Sequence, residues 1–213
     1  MATAGRDVEA IGIAVFARAP VAGQCKTRLI PALGAEGAAA LHRRMIRRTI
    51  ACALAAATGP VSLWCAPDAS HPALVAAGGD GRVELRTQAD GDLGARMLAA
   101  FQAQTSGSPL MLIGTDCPAL TPSLLRDCAA CLRDGDDAVF LPTEDGGYVL
   151  VGTRRPQPDL FNDMPWSTER VMAETRRRLQ AAVLRWREPA TLWDVDTPAD
   201  LDRLRVSGLM RVR

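Results

Sequence analysis

The chain alternates short apolar runs with longer segments of helical spacing. Runs at 11–16, 61–66, 83–87, 110–114, 138–141 and 148–151 predict six strands. Several of them, "LMLI" among them, are apolar throughout rather than at every second position, the pattern of strands covered on both faces. Helical spacing predicts helices over 36–57, 93–104, 123–132, 168–182 and 199–204. In the first of these, Leu41, Met45, Ile46, Thr49, Ile50, Cys52 and Ala53 fill one half of the helical wheel. Arg43, Arg44, Arg47 and Arg48 fill the other half and read as a solvated face. Thr58-Gly59-Pro60 stops the helix.

Strands alternating with helices predict an α/β fold, with a mostly parallel sheet flanked by helices. The length, 213 residues, suits one domain, placed at 11–206 between short tails at 1–10 and 207–213. The first ten residues, "MATAGRDVEA", lack the apolar centre of a signal peptide. No run of about 18 apolar residues predicts a membrane span.

Composition narrows the function classes. Hydrophobic residues make up 48% and charged residues 23%, the balance of a globular chain. The formal charge is +1, so no overall field draws the protein to nucleic acid or to a membrane surface, and any anion site must be local. Aromatic residues are only 4%, too few for base-stacking platforms. The six cysteines follow no framework spacing, which predicts free thiols in a cytoplasmic setting. Cys128 and Cys131 have zinc or redox spacing but fall inside a predicted helix with no second pair, so they read as buried small residues.

In parallel sheets ligands collect at the carboxyl ends of strands, so the residues after each strand carry the candidate chemistry. After the first comes "FARAPVAGQCKTRL": Pro20 stiffens the approach, Gly23 frees a turn, and Lys26 and Arg28 place two cations beside open backbone N–H groups, as a phosphate site or an ordinary solvated loop. After the fourth, Asp116 ends an apolar run and offers a hard oxygen ligand or an ordinary turn. After the fifth, Asp145, Gly146 and Gly147 form a tight turn or a close approach to a ligand. Near the C-terminus Asp194 and Asp196 share one face of an extended segment. Thr197 and Pro198 then read as an N-cap and first helical residue, with Asp200 in the first turn. Only two histidines occur, neither in a recognisable triad, and no P-loop or dinucleotide fingerprint is present.

Four segments, "FARAPVAGQCKTRL", "GDLGARM", "GTDCP" with "PTEDGGYVLVG", and "DVDTPADL", together resemble a bacterial group in order and spacing. That group is the transferase family 1 associated with radical-SAM and selenium-domain clusters, formerly a domain of unknown function. It lies in the nucleotide-diphospho-sugar transferase superfamily with its GT-A-like fold. The pattern is also similar to the 2-phospholactate guanylyltransferases, which share a Lys-Thr/Ser-Arg-Leu loop. The resemblance implies a transferase dependent on Mg2+ or Mn2+, using a nucleotide or nucleotide-sugar donor and a small-molecule acceptor. It places Lys26, Arg28 and Asp116 in catalysis, and Ala17, Arg18, Gly23, Lys26, Arg28 and Arg96 at the nucleotide. It places Asp145, Gly146 and Gly147 at the acceptor, and Asp116 with Asp196 or Asp194 at the metal. The Lys-Thr-Arg loop, with no paired aspartates at Asp116, favours nucleotidyl transfer onto a small phosphorylated acceptor. Glycosyl transfer from a nucleotide-diphospho-sugar is the alternative, and a non-catalytic nucleotide-binding module a second one.

Overall fold

The computed structural model describes residues 9–79, 81–104 and 107–210. Most of the expected N-terminal tail and the last three residues lie outside the described residues. The strands are β1 (Gly12–Arg18), β2 (Val61–Ala66), β3 (Val83–Thr87), β4 (Leu110–Ile113), β5 (Ala138–Pro142), β6 (Tyr148–Thr153) and β7 (Trp186–Arg187). The helices are α1 (Ile30–Ala56), α2 (Pro72–Gly78), α3 (Leu93–Gln102), α4 (Pro122–Arg133), α5 (Val171–Ala181) and α6 (Pro198–Ser207). The strands form one sheet in the order β3-β2-β1-β4-β6-β5-β7. β6 alone runs against its neighbours β4 and β5, and the remaining pairings are parallel. This is the mostly parallel α/β domain that the alternation predicts.

The side-chain period of two divides each strand between two cores. Ile13 and Val15 of β1, Met111 and Ile113 of β4, and Val139 and Leu141 of β5 pack against α1, α2 and α4. Ala14, Phe16, Leu110, Leu112, Ala138 and Phe140 point to the other face and meet α3 and α5. Both faces are covered, which is why the strands read as continuous apolar runs. A third cluster, with Leu29, Leu41, Met45, Leu201 and Leu204, holds α6 against α1.

Two elements have no counterpart in the sequence reading. α2 is seven residues long and is capped by an unusual residue: the Ala73 N–H donates to His71 Nδ1 at 3.2 Å. β7 has two residues, too short to give a period. α1 starts six residues earlier than expected, because the helix continues through a break at Gly34 (φ 68°, ψ 166°). The arginine face of α1 is not wholly solvated. Arg48 donates from Nε and Nη2 to the Pro118 carbonyl at 3.1 and 2.9 Å, and so fixes the loop after β4. Among the described residues no helix is long and apolar enough to cross a membrane.

All six cysteines are free and buried. Burial pushes Cys128 up to about 12 and Cys52, Cys65 and Cys117 up to about 11. Thiolate is the reactive form, so these thiols are expected to be inert in the native state. With an aromatic disulfide reagent at pH 8, native protein should release little chromophore over minutes, and denatured protein should release six equivalents. Rapid reaction of Cys128 and Cys131 in the folded protein, or one equivalent of zinc bound by that pair, would contradict this packing.

Candidate active site

The loop after β1 is built to put one lysine underneath the strand ends. Gly23 (φ 80°) makes a turn in which the Gln24 N–H donates to the Val21 carbonyl. Lys26 then adopts a left-handed backbone (φ 48°, ψ 41°), which costs a non-glycine residue about 1–2 kcal/mol. A 3-10 turn over Thr27–Leu29 follows and buries Leu29 in the core beneath α6. The strained backbone aims the Lys26 side chain inward, where it is only 3% exposed.

Lys26 Nζ lies 2.8 Å from Asp116 Oδ1, donates to the Val195 carbonyl at 2.6 Å, and lies 3.9 Å from Asp196 Oδ1. The Val195 N–H donates in turn to the Asp116 carbonyl at 2.9 Å. Three distant segments are thereby joined: the β1 loop, the β4 loop and the strand-like run before α6. Behind them sits His42 of α1, whose Nε2 donates to the Arg18 carbonyl at 3.0 Å. Burial pushes its pKa below the ordinary value, so the ring is neutral near pH 7. Its Nδ1 stands 3.9 Å from Asp116 Oδ1, beyond hydrogen-bond reach.

Arg28 is different. Its side chain is 71% exposed and meets Asp196 Oδ2 at 2.5 Å. Asp196 is available for this because α6 is capped by Thr197, the N-cap that the sequence predicts, and Asp200 closes a reciprocal capping box with it.

These groups border a cavity of about 540 Å³. Asp116, Asp145, Asp194, Asp196 and Arg28 make its charged end, and Phe16, Leu93, Met97, Leu112, Tyr148 and Trp166 its apolar end. Asp194 is half-buried, and its carboxyl is pushed up to about 6 by burial first and then by the neighbouring Asp145 and Asp116. Asp145 Oδ1 accepts from Thr143 Oγ1 at 2.5 Å and from the Gly147 N–H at 3.1 Å, which ties the turn after β5. Gly146 (φ 88°) packs so closely on the wall segment that a Cβ would lie 2.0 Å from the Glu169 carbonyl oxygen. The base of that wall is held by Arg178, which donates to the carbonyls of Asp159, Asn162 and Asp163.

The structure therefore gathers Arg28, Asp116, Asp145, Gly147, Asp194 and Asp196 on one cavity, with Lys26 directly beneath. It does not bring the other predicted residues to its lining. Ala17 is buried in β1, Arg18 lies at the end of that strand, and Gly23 serves the turn. The Arg96 side chain folds back to the Gly91 carbonyl at 2.9 Å, and Gly146 serves the wall. Sequence reasoning missed Tyr148, Trp166 and Glu169 on the lining and His42 behind it. In a chain with so few aromatics, Tyr148 beside the Asp-Gly-Gly turn was the available signal. His42 gave none.

The carboxylates present hard oxygens suited to Mg2+ or Mn2+, and one oxygen of Asp116 is buried. Among the described residues no three His, Cys, Asp or Glu side chains already stand together as a metal cage. The donor set fits a cation that shares its coordination with ligand phosphates and water, not a closed structural site. A second cavity, of about 650 Å³, lies at the opposite end of the sheet, lined by Glu9, Asp137, Arg154 and Arg155 and by none of the motif residues.

The arrangement is similar to known folds. A protein of Desulfovibrio desulfuricans, provisionally described as a nucleotide-diphospho-sugar transferase, is 29% identical with a TM-score of 0.84, over 92% of this chain and 87% of its own. CMP:2-keto-3-deoxy-manno-octonic acid synthetase, solved with CTP, shares the fold at 16% identity and a TM-score of 0.61, over 93% of this chain and 98% of its own. Glucosyl-3-phosphoglycerate synthase from Mycobacterium tuberculosis, solved with Mn2+, UDP and glucosyl-3-phosphoglycerate, does so at 12% identity and 0.53, over 94% and 77%. No curated protein sequence matches the chain. The model of a family described as an uncharacterized protein conserved in bacteria matches residues 49–168, more than half of the sequence, and the chain belongs to that family, DUF2064.

Proposed function

We propose that the protein is a divalent-cation-dependent transferase with a nucleotide donor, and that glycosyl transfer from a nucleotide-diphospho-sugar is its better-supported reaction. Within the superfamily, motif order allies it with the transferase family 1 associated with radical-SAM and selenium-domain clusters. The observation that carries the reading is the division of labour between Lys26 and Arg28. Lys26 is consumed beneath the site by Asp116 and Val195, so among the described residues Arg28 is the one cationic side chain on the cavity lining. A single guanidinium beside a divalent cation offsets the charge of a bound nucleotide-sugar diphosphate better than that of a nucleoside triphosphate, which carries more. That shifts the balance from the nucleotidyl transfer favoured by the loop motif alone. Nucleotidyl transfer remains the second reading, supported by the exposure of Arg28 at the cavity mouth, where a longer phosphate chain could reach it.

In this reading Asp116, with Asp196 or Asp194, would hold the cation. When bound, the cation neutralises charge developing on the leaving phosphates. Arg28 would exchange part of its contact with Asp196 for a phosphate oxygen. Lys26 holds the Asp116 carboxylate in place and limits its freedom before any ligand arrives. The wall at 166–169 would shield the reacting groups from water.

The reaction is tested by incubating the protein with Mn2+, small acceptors and a panel of nucleotide-sugars, and separately with Mn2+, the same acceptors and nucleoside triphosphates. Release of nucleoside diphosphate in the first set is expected. Pyrophosphate from the second, with none from the first, would establish nucleotidyl transfer instead. Arg28→Ala should weaken binding of the donor nucleotide about 10- to 100-fold, the worth of a charge-assisted hydrogen bond. Its stability should change by less than about 0.5 kcal/mol, because the ion pair is solvent-exposed. Calorimetry and urea unfolding read the two effects, and a loss below threefold would remove Arg28 from the donor site. Asp116→Asn should abolish the Mn2+ dependence of nucleotide binding, and an unchanged dependence would reassign the metal.

A further inference from the structure

The wall of the cavity away from Arg28 has a composition that limits what can sit on it. It is formed by residues 145–149 and 166–171. Among the described residues its charged members on the lining are Asp145 and Glu169, and no lysine or arginine of this wall is on the lining. Arg170 belongs to the same segment but is not part of the lining. Among the described residues of the whole cavity, and before a divalent cation binds at Asp116, five carboxylates face one guanidinium, and that guanidinium is already paired with Asp196. A phosphate or carboxylate placed on this wall would meet like charge and find no partner. Like charges held within a few ångströms of each other at this wall repel, and salt reduces this only in part.

The remaining groups there suit one kind of ligand. Tyr148 packs edge-on to Trp166 at 6.3 Å and to Phe140 at 5.3 Å, so two amphipathic rings lie side by side on the wall. The Tyr148 hydroxyl makes no hydrogen bond among the described residues. Ser167 adds a hydroxyl, while that of Thr168 is already tied to the Pro165 carbonyl; Asp145, and Asp194 beside the wall, add carboxylate oxygens that take part in no ion pair among the described residues. Carboxylates accept from hydroxyl groups, while ring faces cover C–H surface.

We propose that the acceptor seated on this wall is a neutral, polyhydroxylated molecule of sugar-like chemistry, and not a phosphorylated or carboxylated one. It lays its C–H surface against Tyr148 and Trp166 and donates hydroxyl protons to the carboxylates. This rests on the transferase reading for the word acceptor, but the recognition chemistry belongs to the wall alone. It also departs from the phosphorylated acceptor that the loop motif suggests.

The experiment is equilibrium binding, in low salt at pH 7 without nucleotide, of phenyl β-glucoside and of phenyl β-glucoside 6-phosphate. Quenching of intrinsic tryptophan fluorescence is the readout, and Trp166→Phe identifies the reporter. The neutral glycoside should bind at least about 10-fold more tightly than its phosphate, with a signal that Trp166→Phe removes. Glu169→Arg, at an exposed position of the wall, should narrow the preference to less than about threefold. Equal or tighter binding of the phosphate overturns the proposal, as does failure of the glycoside to bind by about 10 mM or a preference unmoved by Glu169→Arg. Nucleotide stabilisation with Mn2+ is measured on the same preparation. Protein that binds the glycoside but no nucleotide would lose the transferase reading and keep this one.

Discussion

The site depends on one buried ammonium. Lys26 Nζ contacts the Asp116 carboxylate and the Val195 carbonyl, and these lie on segments far apart in the chain. Without that cation the cavity would gather Asp116, Asp194 and Asp196 with little to offset their repulsion. With it, a cluster of carboxylates is tolerated at the end of a parallel sheet before any metal or phosphate arrives. The cost is visible in the left-handed backbone of Lys26, a conformation that persists because Leu29 and the ion pair anchor the residue on both sides.

The sheet determines what that lysine can reach. β1 and β4 are parallel neighbours, so their carboxyl ends and the loops that follow them lie side by side. The reversal of β6 puts the turn after β5, with Asp145 and Gly147, at the same end of the sheet. The isolated pairing of Thr143 with Leu192 then brings Asp194 and Asp196 to the same rim. On one face of the sheet α3 adds Leu93 and Met97 and α5 adds Val171 to the apolar half of the cavity, and α1 supplies His42 and Arg48 from the other. Charged chemistry and apolar recognition thus come from different layers of the same domain.

Much of this was legible in the sequence, and what was not has physical reasons. β2 and β3 fall where the apolar runs place them, and the other four long strands within two residues, because strands buried on both faces leave an unbroken signature. The Thr197 N-cap was readable because capping is local. The direction of the Lys26 side chain was not, since two cations two residues apart look alike until the backbone turns one inward and one outward. His71 as a cap, β7 as a two-residue strand and Arg96 folded onto Gly91 depend on geometry that residue identity does not encode. The aromatic wall was invisible for a further reason: Tyr148 and Trp166 are 18 positions apart and meet only when Gly146 lets the wall segment approach.

The most direct test of the central role of Lys26 is a double-mutant cycle in stability, with Lys26→Met, Asp116→Asn and the pair, read by urea unfolding. Hydrogen bonds to charged groups contribute about 1.5–3 kcal/mol, and Asp116 is partly exposed, so a coupling of about 1–2 kcal/mol is expected. Lys26→Met alone should cost more than Asp116→Asn alone, because it also strips the donor from the Val195 carbonyl. Additive effects, with a coupling below about 0.3 kcal/mol, would mean that the lysine does not organise the site and that the account is wrong at its base.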